Sequence, residues 1–167
     1  MNYIGIDPGL SGAVAVLHST GLYTVYDTPV MTLQRKSGIR HEYDMPSIVR
    51  LVGMYSQDAY AAIEEAQAMP GQGTRSMFTC GLGMGVWLGV LASLRIPYLR
   101  VRPATWKKAL GVGKDKEESR LRAGQCFPDA DLRRKKDHGR AEALLIALYI
   151  QRRVMLADKR EGVCPHQ

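Results

Sequence analysis

The sequence predicts an α/β domain: a five-stranded mixed sheet flanked by helices on both faces. Two observations carry this. The N-terminal part holds three short apolar runs separated by tight glycine turns, the pattern of an antiparallel meander. The remainder alternates strand-like runs with helix-length segments. The order β-β-β-α-β-α-β-α-α then sets helices against both sides of one sheet. At 167 residues the chain is long enough for one self-supporting core. The expected unit is residues 1–155, with 156–167 as a flexible tail.

Each element has its own signal. Tyr3, Ile4 and Ile6 form a first strand over 2–6, which Pro8-Gly9 ends. Residues 13–17 form a second strand after Gly12, and 22–26 a third after Thr20-Gly21. Residues 29–43 are irregular and basic, and are expected to be a loop. Asp44 caps a helix running to about Gln57, with Ile48, Val49, Leu51 and Val52 inward. Residues 61–64 are a fourth strand ending in Glu64, and 66–73 a glycine- and proline-containing loop. A long helix spans about 74–94, followed by a fifth strand at 98–101 and a short helix at 103–110. Asp115 opens a helix to about Cys126, residues 128–136 are a charged loop, and the last main helix spans about 138–152.

Composition narrows the partners. The net charge is +7, which favours a polyanion. The charge is also uneven: only Arg35, Lys36, Arg40, Arg50 and Arg75 precede Arg95 among the basic residues. Cys80, Cys126 and Cys164 are odd in number and far apart, which fits a reducing, cytoplasmic setting. The N-terminus lacks the charged-then-apolar pattern of a signal peptide. Residues 76–94 carry no charge, but Gly81, Gly83, Gly85 and Gly89 interrupt them, so no membrane span is expected. Gly81, Gly85 and Gly89 recur every four residues and share a face. Glycine costs about 1 kcal/mol in a helix interior, so the stripe implies close approach of another backbone. That backbone is either the chain's own sheet or a second copy of the helix.

Asp7 sits where the first strand leaves the sheet, and an ionised group there either serves the turn or binds metal. Glu64 ends the fourth strand, and Asp137 and Glu142 open the last helix. If the two strands are neighbours and the helix start reaches them, four carboxylates converge. They would need a counter-ion such as Mg²⁺, which takes oxygen ligands and binds substrate phosphate. Two ions would activate a water and stabilise a leaving oxygen in phosphodiester hydrolysis. Each acid also has a plainer reading as a polar strand end, an N-cap or a first-turn acid. His138 shares a helix face with Glu142 and is a weaker candidate for proton transfer.

Ile4-Gly5-Ile6-Asp7-Pro8-Gly9, Ala62-Ile63-Glu64-Glu65 and the run Asp137-His138-Gly139-Arg140-Ala141-Glu142-Ala143-Leu144-Leu145-Ile146-Ala147 resemble the RuvC-type Holliday junction resolvases. The last motif is most similar to the bacteriophage and chloroplast branch. The resemblance implies an RNase H-like fold, a homodimer through the helix at about 74–94, and paired symmetric cuts in four-way DNA junctions. It implies Asp7, Glu64, Asp137 and Glu142 as the acids, and Mg²⁺ as cofactor, with Mn²⁺ able to substitute and two ions per site. The setting would be the cytoplasm of a bacterial or phage-infected cell. Two departures stand out. The last acid pair is Asp137 and Glu142, five apart, and Gln67-Ala68-Met69-Pro70 stands where bacterial relatives carry a stacking aromatic.

On this reading the basic residues serve DNA: Lys107, Lys108, Lys114 and Lys116 around the Gly111–Gly113 turn, Arg133, Arg134, Lys135 and Lys136 before Asp137, and Arg75 and Arg140. Three other functions compete: a non-catalytic junction binder, a nuclease acting on other branched DNA or RNA–DNA hybrids, and a phosphotransferase. The last is suggested by the first motif alone and lacks a P-loop.

Overall fold

A computed structural model of the chain describes residues 1–36, 38–65, 71, 73–113 and 115–161; the side chains of Lys116 and of 158–161 fall outside that description. β1 (Asn2–Asp7), β2 (Ala13–His18) and β3 (Tyr23–Asp27) form the antiparallel meander, as expected. β1 also pairs in parallel with β6 (Ala59–Glu64), which pairs in parallel with β7 (Tyr98–Val101). The five-stranded mixed sheet therefore runs β3-β2-β1-β6-β7.

Strand alternation divides the core into two layers. Ile4, Ile6, Val14, Val16, Ala61 and Ile63 face α1 (Met45–Gly53) and α2 (Thr74–Ser93). Tyr3, Ala13, Ala15, Leu17 and Ala62 face the opposite layer of α3 (Pro103–Leu110), α4 (Lys116–Cys126) and α5 (His138–Glu161). On α5, Ala141, Ala143, Leu144, Leu145, Ile146 and Ala147 are all fully buried. Small residues let α5 press directly on β1. A Cβ at Gly5 would stand 2.1 Å from the Ala143 carbonyl oxygen, so only glycine admits the helix backbone there.

Several expectations need correction, and the open choice for the glycine stripe is resolved. Residues 29–43 are not a loop. They form a separate antiparallel hairpin, β4 (Val30–Arg35) and β5 (Gly38–Tyr43), with Arg35 opposite Gly38. Its strands are largely exposed, so the burial alternation that marks a strand in sequence is missing. The glycine stripe does not lie on the sheet: Cβ atoms at Gly81, Gly85 and Gly89 would meet open space, whereas Gly83 is crowded by Tyr43 and the Pro8 carbonyl. α5 runs to Glu161, beyond the expected end near Arg152, and α1 stops at Gly53, short of Gln57. Asp44 and Asp115 cap α1 and α4, accepting from the Ser47 and Glu117 amides. The loop expected at 66–73 lies mostly outside the described residues.

Candidate active site

Three acids reach one end of the sheet by separate routes. Ile6 pairs with Ile63 in the parallel β1–β6 register, so Asp7 and Glu64, each one residue further on, are side by side. Alternation turns both toward the α5 layer, the side of Gly5 and Ala62. α5 then brings its first turns over the same spot. A Cβ at Gly139 would stand 3.1 Å from Asp7 Oδ2 and 2.7 Å from the Ser11 carbonyl oxygen, and Glu142 follows one turn on.

Hydrogen bonds from the α3 and α4 layer hold two of the acids. The Trp106 indole Nε1 donates to Glu64 Oε2 at 2.7 Å. The Lys107 ammonium lies 2.9 Å from Glu142 Oε1, and the Ser119 hydroxyl donates to that same oxygen at 3.3 Å. Trp106 and Ser119 are fully buried and Glu142 is buried. Burial pushes the Glu64 carboxyl up to about 7. The charges of Glu142 and Asp7 push the same way, against the Trp106 hydrogen bond and the Lys107 charge. Asp7 itself sits in a turn held from the other side of the sheet: the Tyr43 hydroxyl donates to the Pro8 carbonyl at 3.0 Å. Burial, with Cys80 and Asp7 adding to it, raises that phenol to about 12.

Asp137 is placed differently. It closes a single 3₁₀ turn (Lys135–Asp137) ahead of α5, is 2% exposed, and accepts from the Arg134 backbone amide at 2.8 Å and from the Arg134 guanidinium at 2.8 Å. The hydrogen bonds of Arg134 hold its carboxyl below the usual range. It lines a recess of about 240 Å³ with Ser11, Gly12, Asp27 and Thr28. His138 is tied back through Nδ1 to the Lys135 carbonyl oxygen at 3.0 Å. The structure thus brings Glu142 and Asp7 within electrostatic reach of Glu64, and ties Asp137 to Arg134 and His138 to Lys135.

The basic residues also divide. Lys107 is in the site. Lys108, Arg133, Lys135 and Lys136 are exposed, with Arg133 paired to Asp131 at 3.1 Å. Arg134 is committed to Asp137, and Arg140 forms a two-pronged pair with Asp27, which it holds below the usual carboxylate range. Lys114 lies outside the described residues, as does the side chain of Lys116 at the start of α4. Arg75 lines a basic recess with Arg35 and Arg40 of the hairpin. The sequence reading missed Trp106, Ser119, Tyr43 and the two hairpin arginines. Trp106 could have been noticed as a large indole directly beside Lys107. Ser119 and Tyr43 carry no local mark, because their partners lie 23 and 35 residues away.

The donor set is chemically suited to a hard divalent cation: carboxylate oxygens only, with Glu142 and Asp7 close enough to help raise the Glu64 carboxyl. Among the described residues, no three acid, histidine or cysteine side chains close on a common ligating point. Lys107 instead supplies the positive charge beside Glu142.

No protein-family model matches the chain. The chloroplast Holliday junction resolvase of Chlamydomonas reinhardtii is 36% identical over 94 residues, which are 54% of this chain and 11% of that relative's length. Two structures of Thermus thermophilus RuvC superpose on nearly the whole chain. RuvC in complex with a Holliday junction substrate gives a TM-score of 0.62 at 16% identity, covering 93% of this chain and 96% of RuvC. A second RuvC structure gives 0.61 at 17% identity, covering 94% and 97%. The expected fold is therefore correct: the chain has the mixed-sheet, RNase H-like fold of RuvC.

Proposed function

We propose that this chain is a metal-dependent endonuclease that resolves four-way DNA junctions as a homodimer. One observation carries the reading: on the RuvC fold, Asp7 and Glu64 are adjacent in register and α5 brings Glu142 to them across Gly5. On this reading Asp7, Glu64 and Glu142 hold divalent metal, Mg²⁺ or Mn²⁺, with room for a second ion when a substrate phosphate supplies further oxygens. Such an ion activates water and stabilises the leaving oxygen. Lys107 neutralises Glu142 and is placed to meet the scissile phosphate. Asp137, saturated by Arg134, anchors the start of α5 instead of ligating metal.

The exposed cations supply the DNA surface. Lys108, Arg133, Lys135 and Lys136 flank the acids, and Arg35, Arg40 and Arg75 extend the positive field along the hairpin. The outer face of α2 supports self-association. Phe78 is 69% exposed, Leu82 is exposed, and the Gly81, Gly85 and Gly89 stripe is open to a second backbone. α2 is long and apolar enough to cross a membrane by length and composition, but its other face buries Met84, Trp87, Val90 and Leu91 on the sheet, which supports a subunit interface.

The test is cleavage of a synthetic four-way junction beside an RNA–DNA hybrid, a flap and a linear duplex, with Mg²⁺ and with EDTA. Paired cuts confined to the junction and to Mg²⁺ are expected, and Asp7→Asn should abolish cutting while sparing binding. The Lys107–Glu142 pair favours one alternative, a non-catalytic junction binder. Binding without cutting in any divalent metal would establish that reading instead.

A further inference from the structure

Trp106 and Ser119 lie beneath the acids and would not touch a substrate. They come from different helices, are fully buried, and each donates to one oxygen of a different carboxylate: Trp106 to Glu64 Oε2 and Ser119 to Glu142 Oε1. A glutamate has three side-chain torsions, and its carboxylate can otherwise rotate and withdraw from a ligand. Anchoring one oxygen of each restrains the carboxylate and limits where its second oxygen can point; on Glu142 the Lys107 ammonium, at 2.9 Å, shares Oε1 with Ser119. α3 and α4 bring these two donors from separate helices. They place a buried donor under each acid, where an unpaired donor would be costly. Trp87, the other fully buried indole, shows the contrast: its Nε1 has no hydrogen-bond partner among the described residues, and it packs in the opposite layer against α1 and α2.

We propose that Trp106 and Ser119 are positioning residues that aim Glu64 and Glu142 at a shared divalent cation. The inference rests on the metal-dependent reading above and adds which residues set the cation affinity. The donors act through the acids and not on DNA. Loss of either should weaken metal binding by about ten- to a hundredfold, the usual effect of removing a hydrogen bond behind a metal ligand. Junction binding in EDTA should be unchanged.

Mn²⁺ binding, measured by calorimetry and by the electron-spin signal of the free ion, tests this in the intact chain. The panel is wild type, Glu64→Gln, Trp106→Phe, Ser119→Ala, Ser119→Thr and Trp87→Phe, each checked for an unchanged circular dichroism spectrum. Wild type should bind, Glu64→Gln should not, and Trp106→Phe and Ser119→Ala should bind at least tenfold more weakly. Ser119→Thr, which keeps the hydroxyl, should recover affinity, and Trp87→Phe should match wild type. If wild type binds no Mn²⁺, or Glu64→Gln binds as well as wild type, the metal site itself is wrong. If those two behave as expected but Trp106→Phe and Ser119→Ala bind like wild type, the positioning role is overturned. Equal weakening in Trp87→Phe also overturns it, because loosened packing then explains the loss.

Discussion

Glu64→Gln should stabilise the metal-free protein at pH 8 and do much less for it at pH 5. The Glu64 carboxyl is raised from 4.5 to about 7, first by burial and then by Glu142. A raised acid works against the fold. Below pH 4.5 both folded and unfolded chains hold the proton. Between 4.5 and 7 the folded chain still holds a proton the unfolded chain has released, so stability falls as pH rises, and above 7 the whole loss is present. The shift of about 2.5 units corresponds to ~3 kcal/mol at 1.36 kcal/mol per unit. Glutamine keeps an oxygen for the Trp106 indole and removes the charge, but buries an amide donor, so about 1–3 kcal/mol should be recovered.

At roughly 2–4 °C per kcal/mol for a chain of this size, the midpoint should rise by about 2–12 °C. The assay is thermal unfolding in EDTA at pH 8 and pH 5, repeated with Mg²⁺. Mg²⁺ should raise the wild-type midpoint at pH 8 and leave Glu64→Gln nearly unmoved, because the cation relieves the same repulsion the substitution removes. A Glu64→Gln protein that is less stable than wild type at pH 8, or a difference that is the same at both pH values, would refute the electrostatic account of this site.

Three further outcomes follow from the geometry. Gly85→Arg should block self-association, read by sedimentation, while leaving the fold intact, because a side chain there meets open space; Gly85→Ala should raise monomer stability by up to about 1 kcal/mol. Arg134→Ala should lower the unfolding midpoint at neutral pH, and the deficit should fade in acid. Asp137 is depressed by Arg134, so its stabilisation exists above the ordinary carboxylate range and is lost as pH falls through its folded value. Junction affinity in EDTA should fall steeply with added salt, and Lys136→Ala should lower the slope of log affinity against log salt by about one, as expected for one lost phosphate contact. A slope unchanged by Lys136→Ala would remove that lysine from the DNA surface.

The central sheet was legible because its signals are local. Tyr3, Ile4 and Ile6 ahead of Pro8-Gly9 mark β1 from composition alone, and Gly12 and Gly21 punctuate the meander. The hairpin was illegible for the opposite reason. Val30, Met31 and Ile39 are exposed and Arg35, Lys36 and Arg40 interleave with them, so the segment lacks the inward-outward period that betrays a strand packed on a core. The glycine stripe was legible as a surface of close approach but not as to which surface. Four-residue spacing fixes that Gly81, Gly85 and Gly89 share a helix face, and only the position of Gly83 against Tyr43 reveals that this face points away from the sheet.

The acids follow the same division. Asp7 and Glu64 end strands, and β-strand ends are readable; their adjacency depends on one register, Ile6 beside Ile63, which the sequence does not encode locally. Asp137 and Glu142 look alike in sequence, two acids at a helix start. What separates them is the identity of their neighbours. Asp137 is three residues from Arg134 across a 3₁₀ turn, and both backbone and guanidinium donors close on it before any ligand could. Glu142 lies on the turn after Gly139, where the absent side chain lets α5 settle against Asp7, and its partners Lys107 and Ser119 approach from helices earlier in the chain. A carboxylate satisfied within its own turn is a structural anchor; Glu142 is instead satisfied by distant donors, and its charge adds to the burial that raises Glu64. The two acids of the final motif thus differ in their partners: Asp137 is held within its own turn by Arg134, and Glu142 by Lys107 and Ser119 from α3 and α4.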